Sequence, residues 1–117
     1  MKKQNFAIML PPPNISGSLH IGHALNFFLQ DFLGKTAQIS QLYEDVSLLP
    51  GLDHGGISTQ YSALKNINNL SSLSNAEKFN IIKNFGEDAK SQIKKQMTHF
   101  ALTCNLEQIK YTMSPEH

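Results

Sequence analysis

Two histidines, His20 and His23, stand three residues apart in the stretch PPPNISGSLHIGH, which follows the short apolar run NFAIML. Residues three apart on a helix share a face, so both imidazoles would point the same way. Ring N–H groups can donate to phosphate oxygens while negative charge accumulates during displacement at phosphorus. The spacing therefore makes His20 and His23 catalytic candidates in a phosphate-binding site.

The surroundings of the pair suit a small ligand. Gly22 lacks a Cβ, so a flat ring can approach the backbone between the two histidines. The three prolines stiffen the opposite wall and leave little entropy to lose on binding. A second loop, DHGG at residues 53–56, offers the carboxylate of Asp53 for an ammonium group. The two loops together predict a site for a phosphate-bearing ligand and an amine.

Each of these features also has an ordinary structural interpretation. An H-x-x-H pair is more often a surface or capping arrangement, a DHGG stretch is usually a turn, and three prolines can form a rigid linker or a polyproline ligand. No carboxylate or third ligand lies near the histidines in sequence, so a metal site is not expected. Taken singly, each feature favours the structural interpretation, and only their order along the chain changes that balance.

Both loops are expected at one edge of a parallel sheet. Residues 5–10 are apolar and bounded by prolines, which predicts a short buried strand, and DVSLL at 45–49 predicts a second one. Each strand is followed by a loop and a helical pattern, as at the beginning of an open α/β sheet. Ligands of such sheets bind outside the carboxyl ends of the strands, where both loops fall. The predicted fold class is therefore α/β.

The first helix is predicted from about Leu19 to Leu33, with Ser18 as its N-cap and Gly34 near its end. Its apolar residues at helical spacing are Leu19, Ile21, Leu25, Phe28, Leu29 and Phe32. Residues 35–44 are polar and are expected to be irregular.

Two further helices are predicted. ISTQYSALKNI, from residue 57, indicates a short one, and residues 66–74 form a polar linker after it. From Asn75 apolar residues keep a spacing of three to four for several turns, which predicts one long helix with a candidate interruption at Gly86. The stretch from residue 105 onward carries no clear pattern.

Composition bounds the remaining possibilities. The 117 residues suffice for one domain, and 40% hydrophobic with 16% charged residues is typical of a globular chain. A net charge of +1, with lysine at all ten basic positions, argues against an extensive nucleic-acid backbone surface. The single cysteine, Cys104, excludes an internal disulfide. The apolar runs are too short for a membrane span or a signal peptide, so we expect a soluble cytoplasmic protein.

Taken in order, the motifs resemble the class I aminoacyl-tRNA synthetases. PPPNISGSLHIGH, residues 11–23, is similar to the first signature of that family, which ends in the letters HIGH. The PPPN start and SGSLH follow the valyl pattern, with Ser16 where threonine is usual, and PGLDHGGISTQ at 50–60 resembles the valyl PGTDHAGIATQ. QMTHFALTCNLEQIKYTMSPE, residues 96–116, is similar to the valyl stretch after the long helix. The resemblance covers nearly the whole chain.

This resemblance implies that residues 1–117 form the N-terminal part of a catalytic domain, the first half of a Rossmann-like (HUP-type) parallel sheet followed by a long helix. The implied site residues are His20, Gly22 and His23 for ATP and Pro12, Asn14 and Asp53 for valine. The two histidines would contact the ATP phosphates and stabilise the adenylyl-transfer transition state, while Gly22 would pack against adenine. Asp53 would hold the α-amino group of valine.

The implied reaction is attack of the valine carboxylate on the α-phosphorus of ATP, with pyrophosphate leaving. Transfer of the valyl group to the terminal ribose of tRNA(Val) would follow. Mg²⁺ would accompany the nucleotide, and no membrane partner is implied.

Other parts of the family pattern do not occur in these residues. The KMSKS loop, which holds the pyrophosphate end of ATP, is missing, since Met113 and Ser114 in YTMSPEH lack flanking lysines. The editing and anticodon-binding parts and the second half of the sheet are also missing, and NL at 105–106 replaces the family's DW. Half a sheet leaves a strand edge and an apolar face unpaired, which invites a partner.

Three hypotheses follow. A second chain could supply the KMSKS half, the chain could be a binding module without turnover, or it could be an inactive truncated remnant. We expect little or no aminoacylation by this chain alone, because without the KMSKS loop nothing would bind the pyrophosphate end of ATP.

Overall fold

The described part of the chain, residues 4–114 of a computed structural model, consists of two strand–loop–helix units, a long third helix and a short last strand. The elements are β1 (Gln4–Met9), α1 (Ile21–Ser40), β2 (Tyr43–Leu49), β3 (Gly51–Leu52), α2 (Ile57–Leu64), α3 (Asn75–His99) and β4 (Lys110–Tyr111), with 3₁₀ turns at Leu70–Ser72 and Leu106–Gln108. The predicted α/β class, a partial Rossmann-like fold with parallel strands and flanking helices, is confirmed.

The strands form two short parallel pairs. β1 pairs with β2, and the register sets Phe6, Ala7, Ile8 and Met9 opposite Val46, Ser47, Leu48 and Leu49. β3 continues the chain direction of β2 after Pro50 and pairs in parallel with β4. Backbone N–H groups reach this segment from both sides, from Leu10 to the carbonyl of Leu49 (3.0 Å) and from Lys110 to that of Pro50 (3.2 Å). Successive residues of a parallel strand face opposite neighbours, so residues 49–52 lie between the β1 side and β4.

Helix α1 does not end near Gly34 as predicted but continues to Ser40, so residues 35–40 are helical rather than irregular. Gly34 serves close packing: a Cβ there would lie 2.5 Å from Cδ1 of Leu48. The helix ends instead at Gln41, whose φ of 57° is left-handed and whose N–H donates to the carbonyl of Gln38. A glycine inside an apolar pattern predicted a helix terminus. Gly34 is instead an interior residue of the helix, and its missing side chain leaves room for Leu48 of the neighbouring strand.

Helix α3 begins at Asn75 as predicted and continues without interruption through Gly86 to His99. Ser74 caps it: the Ser74 Oγ accepts from the N–H of Glu77, and the Ser74 N–H donates to the Glu77 carboxylate (2.8 Å). This reciprocal pair satisfies the backbone N–H groups of Ser74 and Glu77 at the start of the helix. The same helix contributes Ala89, Ile93 and Met97 to the core.

The core is one cluster of buried residues from α1, α3, the strands and the loops that follow them. Its buried members are Leu10, Ile15, Phe27, Leu48, Leu52, Ala89, Ile93, Met97, Cys104 and Ile109. Asp31 on α1 is also buried and binds Lys35 (2.6 Å) and the N–H of Thr103 (2.7 Å). Burial by itself raises the pKa of this carboxyl, but the ammonium and the hydrogen bonds from Thr103 outweigh it and hold the pKa below its usual value.

Large apolar surfaces remain uncovered. The apolar stripe of α1, which we define as Leu25, Phe28, Leu29, Phe32 and Leu33, is 49–66% exposed. On the sheet face away from α1, neighbouring Met9 and Leu49 are 76% and 45% exposed. The radius of gyration is 17.7 Å, whereas a compact domain of this length has about 13 Å. The described residues are therefore more extended than a compact domain, and they leave apolar surface of α1 and of the strands exposed to solvent.

Within residues 4–114, no helix has both the length and the hydropathy needed to cross a bilayer.

Candidate active site

The two histidines cap helix α1. The N-cap is His20, not Ser18 as predicted, because the first helical residue is Ile21. The His20 Nδ1 accepts from the N–H of Gly22 (3.1 Å), and the His23 Nδ1 accepts from the N–H of His20 (3.2 Å). The HxxH spacing thus forms a capping box made of two imidazoles.

This capping fixes what the rings can do. A neutral imidazole whose Nδ1 accepts must carry its proton on Nε2, so each ring presents an Nε2–H donor. The ring centroids of His20 and His23 are 3.9 Å apart. Burial, and next the repulsion from a positive charge on His20, lower the pKa of His23 below its usual value. His23 is therefore a neutral donor at pH 7, able to bind an anion without first gaining a proton.

Gly22 lies against the ring of His20. A Cβ on Gly22 would lie 2.9 Å from Cε1 of His20. Packing of Gly22 against adenine stays a prediction.

The first and second loops are joined through their backbones. Asn14 and Asp53 form a parallel bridge, in which the Asp53 N–H donates to the carbonyl of Pro13 (3.0 Å) and the Ile15 N–H donates to that of Asp53 (2.8 Å). Gly55 lies so close to Asn14 that a Cβ there would be 3.1 Å from its Cγ. The predicted valine-binding pair, Asn14 and Asp53, is therefore brought together.

Two distant residues hold these loops in place, and sequence reasoning missed both. Gln96 on α3 accepts from the N–H of Leu19 through its Oε1 (2.9 Å), just before the histidine turn. Thr112, beyond β4, bonds both Asp53 and the backbone of His54. Neither belongs to a chemical motif, and the only available signal was their place in the stretch 96–116.

An open groove of about 880 Å³ lies on the uncovered sheet face at the carboxyl ends of the strands. It is lined by Met9, Leu10, Pro12, Leu49, Pro50, Gly51, Leu52, Glu107, Gln108, Lys110, Tyr111 and Thr112. Pro12 is the predicted site residue that lines it, whereas Asn14, Asp53 and the histidine turn do not.

A second cavity of about 360 Å³ lies between α2 and α3, with His54 and Thr59 in its wall. The Thr59 hydroxyl is buried and donates to the His54 carbonyl (2.6 Å), so it links helix α2 to the second loop. Burial, and next the charge of Lys90, lower the pKa of His54, while Asp53 and Glu87 act in the opposite direction.

Among residues 4–114, no three His, Cys, Asp or Glu side chains cluster in a way that could hold a metal ion.

Comparison with known proteins assigns the family. A family model described as "tRNA synthetases class I (I, L, M and V)" matches residues 1–117. A valine–tRNA ligase from Mycoplasma mobile is 38% identical over 97% of the chain, and one from Helicobacter hepaticus is 37% identical over 92%. A valine–tRNA ligase from Bacillus anthracis is 54% identical over 50% of the chain.

The matched regions are small parts of those relatives. The chain spans 14% of the Mycoplasma protein and 12% of the Helicobacter protein. The resemblance to the valyl subgroup, read from PPPN and DHGG, is confirmed by these matches. With residues 1–117 matched throughout, the chain belongs to the class I tRNA synthetases of the I, L, M and V group.

Proposed function

We propose that this chain forms the ATP- and valine-binding part of a valine–tRNA ligase catalytic domain. The observation that carries the proposal is the bridge between Asn14 and Asp53, which unites the two signature loops at the carboxyl ends of the strands. The relatives that match most of the chain are named valine–tRNA ligase. The reaction is activation of valine by ATP, followed by transfer to tRNA(Val), in the cytoplasm.

In this proposal, His20 and His23 donate their Nε2–H groups to ATP phosphate oxygens. The start of α1 supports an anion there, because the positive end of the helix dipole lies in this turn and the first turn holds no acidic residue. Neutral donors suit the reaction, since charge grows on the phosphate oxygens as the valine carboxylate attacks. Mg²⁺ enters with the nucleotide as part of the substrate.

The second loop binds the amino acid. The Asp53 carboxylate accepts from the α-ammonium of valine, a charge-assisted hydrogen bond of the stronger kind. Asn14, next to it across the bridge, and Pro12, in the wall of the groove, limit the size of the side chain that enters.

Further polypeptide completes the catalytic centre, and we propose that a second chain carrying the KMSKS half supplies it. Among residues 4–114, β1 pairs only with β2, and because the Leu10 N–H faces β2 the backbone groups of Met9 face the other way. Such an open edge, beside an uncovered groove and the apolar stripe of α1, is a surface for another strand and its helices. Contacts at the pyrophosphate end of ATP would come from that half.

Thermal unfolding with ligands tests the proposal. Valine with ATP should raise the Tm of the purified chain, because at about 100 times Kd a ligand adds roughly 2.7 kcal/mol to the folded state. Leucine with ATP should raise it no further than ATP alone does. Asp53→Asn should remove the valine effect, whereas Asp88→Asn, on the exposed surface of α3, should keep it. No shift at millimolar ligand would favour an inactive remnant.

Exchange of labelled pyrophosphate into ATP tests the need for a second half. We expect valine-dependent exchange only after a KMSKS-bearing chain is added, and no valylation of tRNA by this chain alone. Measurable valylation by the isolated chain would overturn the requirement for a partner.

A further inference from the structure

We propose that Thr112 is a positioning residue for amino-acid binding, which sets the orientation of the Asp53 carboxylate. The inference rests on the proposed function, because it assigns the second loop to valine. Thr112 belongs to neither of the two signature motifs, and it acts through Asp53 rather than through contact with the reacting atoms.

Strand β4 places Thr112 beside the second loop. The Lys110 N–H donates to the carbonyl of Pro50 (3.2 Å), and the Thr112 N–H donates to that of Leu52 (3.3 Å). These two bonds extend the parallel pairing of β3 and β4 to the residue before Asp53. The backbone of Thr112 is therefore fixed by the sheet rather than by the loop that it contacts.

The Thr112 hydroxyl joins three groups of that loop. Its Oγ1 accepts from the N–H of His54 (2.9 Å), lies 3.0 Å from the His54 Nδ1, and donates to Oδ1 of Asp53 (3.0 Å). The Met113 N–H also donates to the His54 Nδ1 (3.2 Å), so this nitrogen already has a donor. A hydroxyl has one proton, and a charged carboxylate is the stronger acceptor, so the proton goes to Asp53.

Asp53 is thus fixed from two directions. The first loop holds its backbone through Pro13 and Ile15, and Thr112 holds its side chain. Binding of an ammonium group by a carboxylate depends on the direction of the oxygens, and a carboxylate free to rotate loses rotamer entropy on binding. Thr112 also lines the groove that contains Pro12, another of the proposed valine-binding residues.

Isothermal titration of the full chain with ATP and with valine, each measured separately, tests the inference. Thr112→Val keeps the size of the side chain and removes the hydroxyl, whereas Thr112→Ser keeps the hydroxyl. We expect Thr112→Val to weaken valine binding roughly tenfold, the loss of one hydrogen bond to a charged group, and to leave ATP binding unchanged. Thr112→Ser should bind valine like the unaltered chain.

Amide hydrogen exchange shows whether the altered chain keeps its fold. In Thr112→Val, exchange at the His54 amide should accelerate, while amides in the middle of α3 keep their protection. Equal valine affinity in all three proteins would overturn the inference and leave the proposed function intact.

Two other outcomes are also decisive. Loss of both ATP and valine binding in Thr112→Val would show a merely structural role. An unaltered chain that binds ATP and not valine would refute the assignment of valine to the second loop, and the inference with it.

Discussion

The two signature loops are built in opposite ways. In the histidine turn, the bonds that orient His20 and His23 link residues two or three positions apart. In the DHGG loop, the bonds that orient Asp53 come from Pro13 and Ile15 on one side and from Thr112 on the other. The turn can therefore form whenever its helix forms, whereas the loop exists only once three separate segments have met.

This difference bears on the proposed chemistry. A capping box orients its Nε2–H donors through bonds within the turn itself, which suits a phosphate site at a helix terminus. A carboxylate that must select one ammonium group in a defined direction needs support from several elements. The same contrast predicts where mutations will be tolerated and where they will not.

The largest contrast should appear between two glycine substitutions. Gly55→Ala forces a left-handed φ of 58° on a residue with a side chain and places its Cβ 2.8 Å from the Ser58 Oγ and 3.1 Å from the Asn14 Cγ. We expect it to lower the free energy of unfolding by about 2–3 kcal/mol. Gly22→Ala displaces only the His20 ring, and its gain in helix propensity offsets the weakened cap, so it should stay within about 0.5 kcal/mol.

Urea denaturation of both variants measures this difference. Equal losses would contradict the view that the DHGG loop depends on distant packing and the histidine turn does not.

A smaller effect should follow removal of the cap. His20→Ala removes the acceptor of the Gly22 N–H and should lower the free energy of unfolding by about 1 kcal/mol. Ser18→Ala should change it by less than about 0.5 kcal/mol, because Ser18 is not the N-cap. Thermal unfolding followed by far-UV circular dichroism gives both values, and a reversed order would restore Ser18 as the cap.

The histidine turn still has one distant support, and removing it sharpens the comparison. Gln96→Ala breaks the bond to the Leu19 N–H and should cost about 0.5–1 kcal/mol. Exchange of the Leu19 amide should accelerate, while exchange of the Gly22 amide, held by His20, should not. Gln92→Ala, an exposed change on the same helix, serves as the control. Acceleration at Gly22 would show that the turn is not locally organised.

The smallest effect concerns pH and involves both loops. The pKa of His23 is lowered by burial and then by His20, and that of His54 by burial and then by Lys90, with Asp53 and Glu87 opposing. Below pH 6.5 the unfolded chain therefore binds more protons than the folded chain at these sites, so stability is lost as pH falls.

Tm measured between pH 7.5 and 5.5 should decrease, and His23→Gln and His54→Gln should each reduce the decrease. Both rings are partly exposed, so the change is a few degrees at most. A Tm that is constant or rises over this interval would contradict the prediction.

Much of the geometry of the candidate site was predictable from sequence because its motifs are short and local. The order of strand, loop and helix placed both loops at one sheet edge, and the Asn14–Asp53 bridge now joins them. The end of α1 was not predictable, because the role of Gly34 depends on Leu48 of the next strand. The N-cap was misplaced by two residues, since serine is the usual cap and histidine is not.

The sequence by itself determined the family, the parallel α/β start and the histidine turn, because these follow from residue order and from bonds within a single helical turn. Only the tertiary structure showed that the hydroxyl of Thr112 donates to the carboxylate of Asp53. The physical reason is that the sequence does not show which acceptor a threonine hydroxyl will bind. It becomes specific only when a strand pairing between β3 and β4 brings it within 3.0 Å of its acceptor.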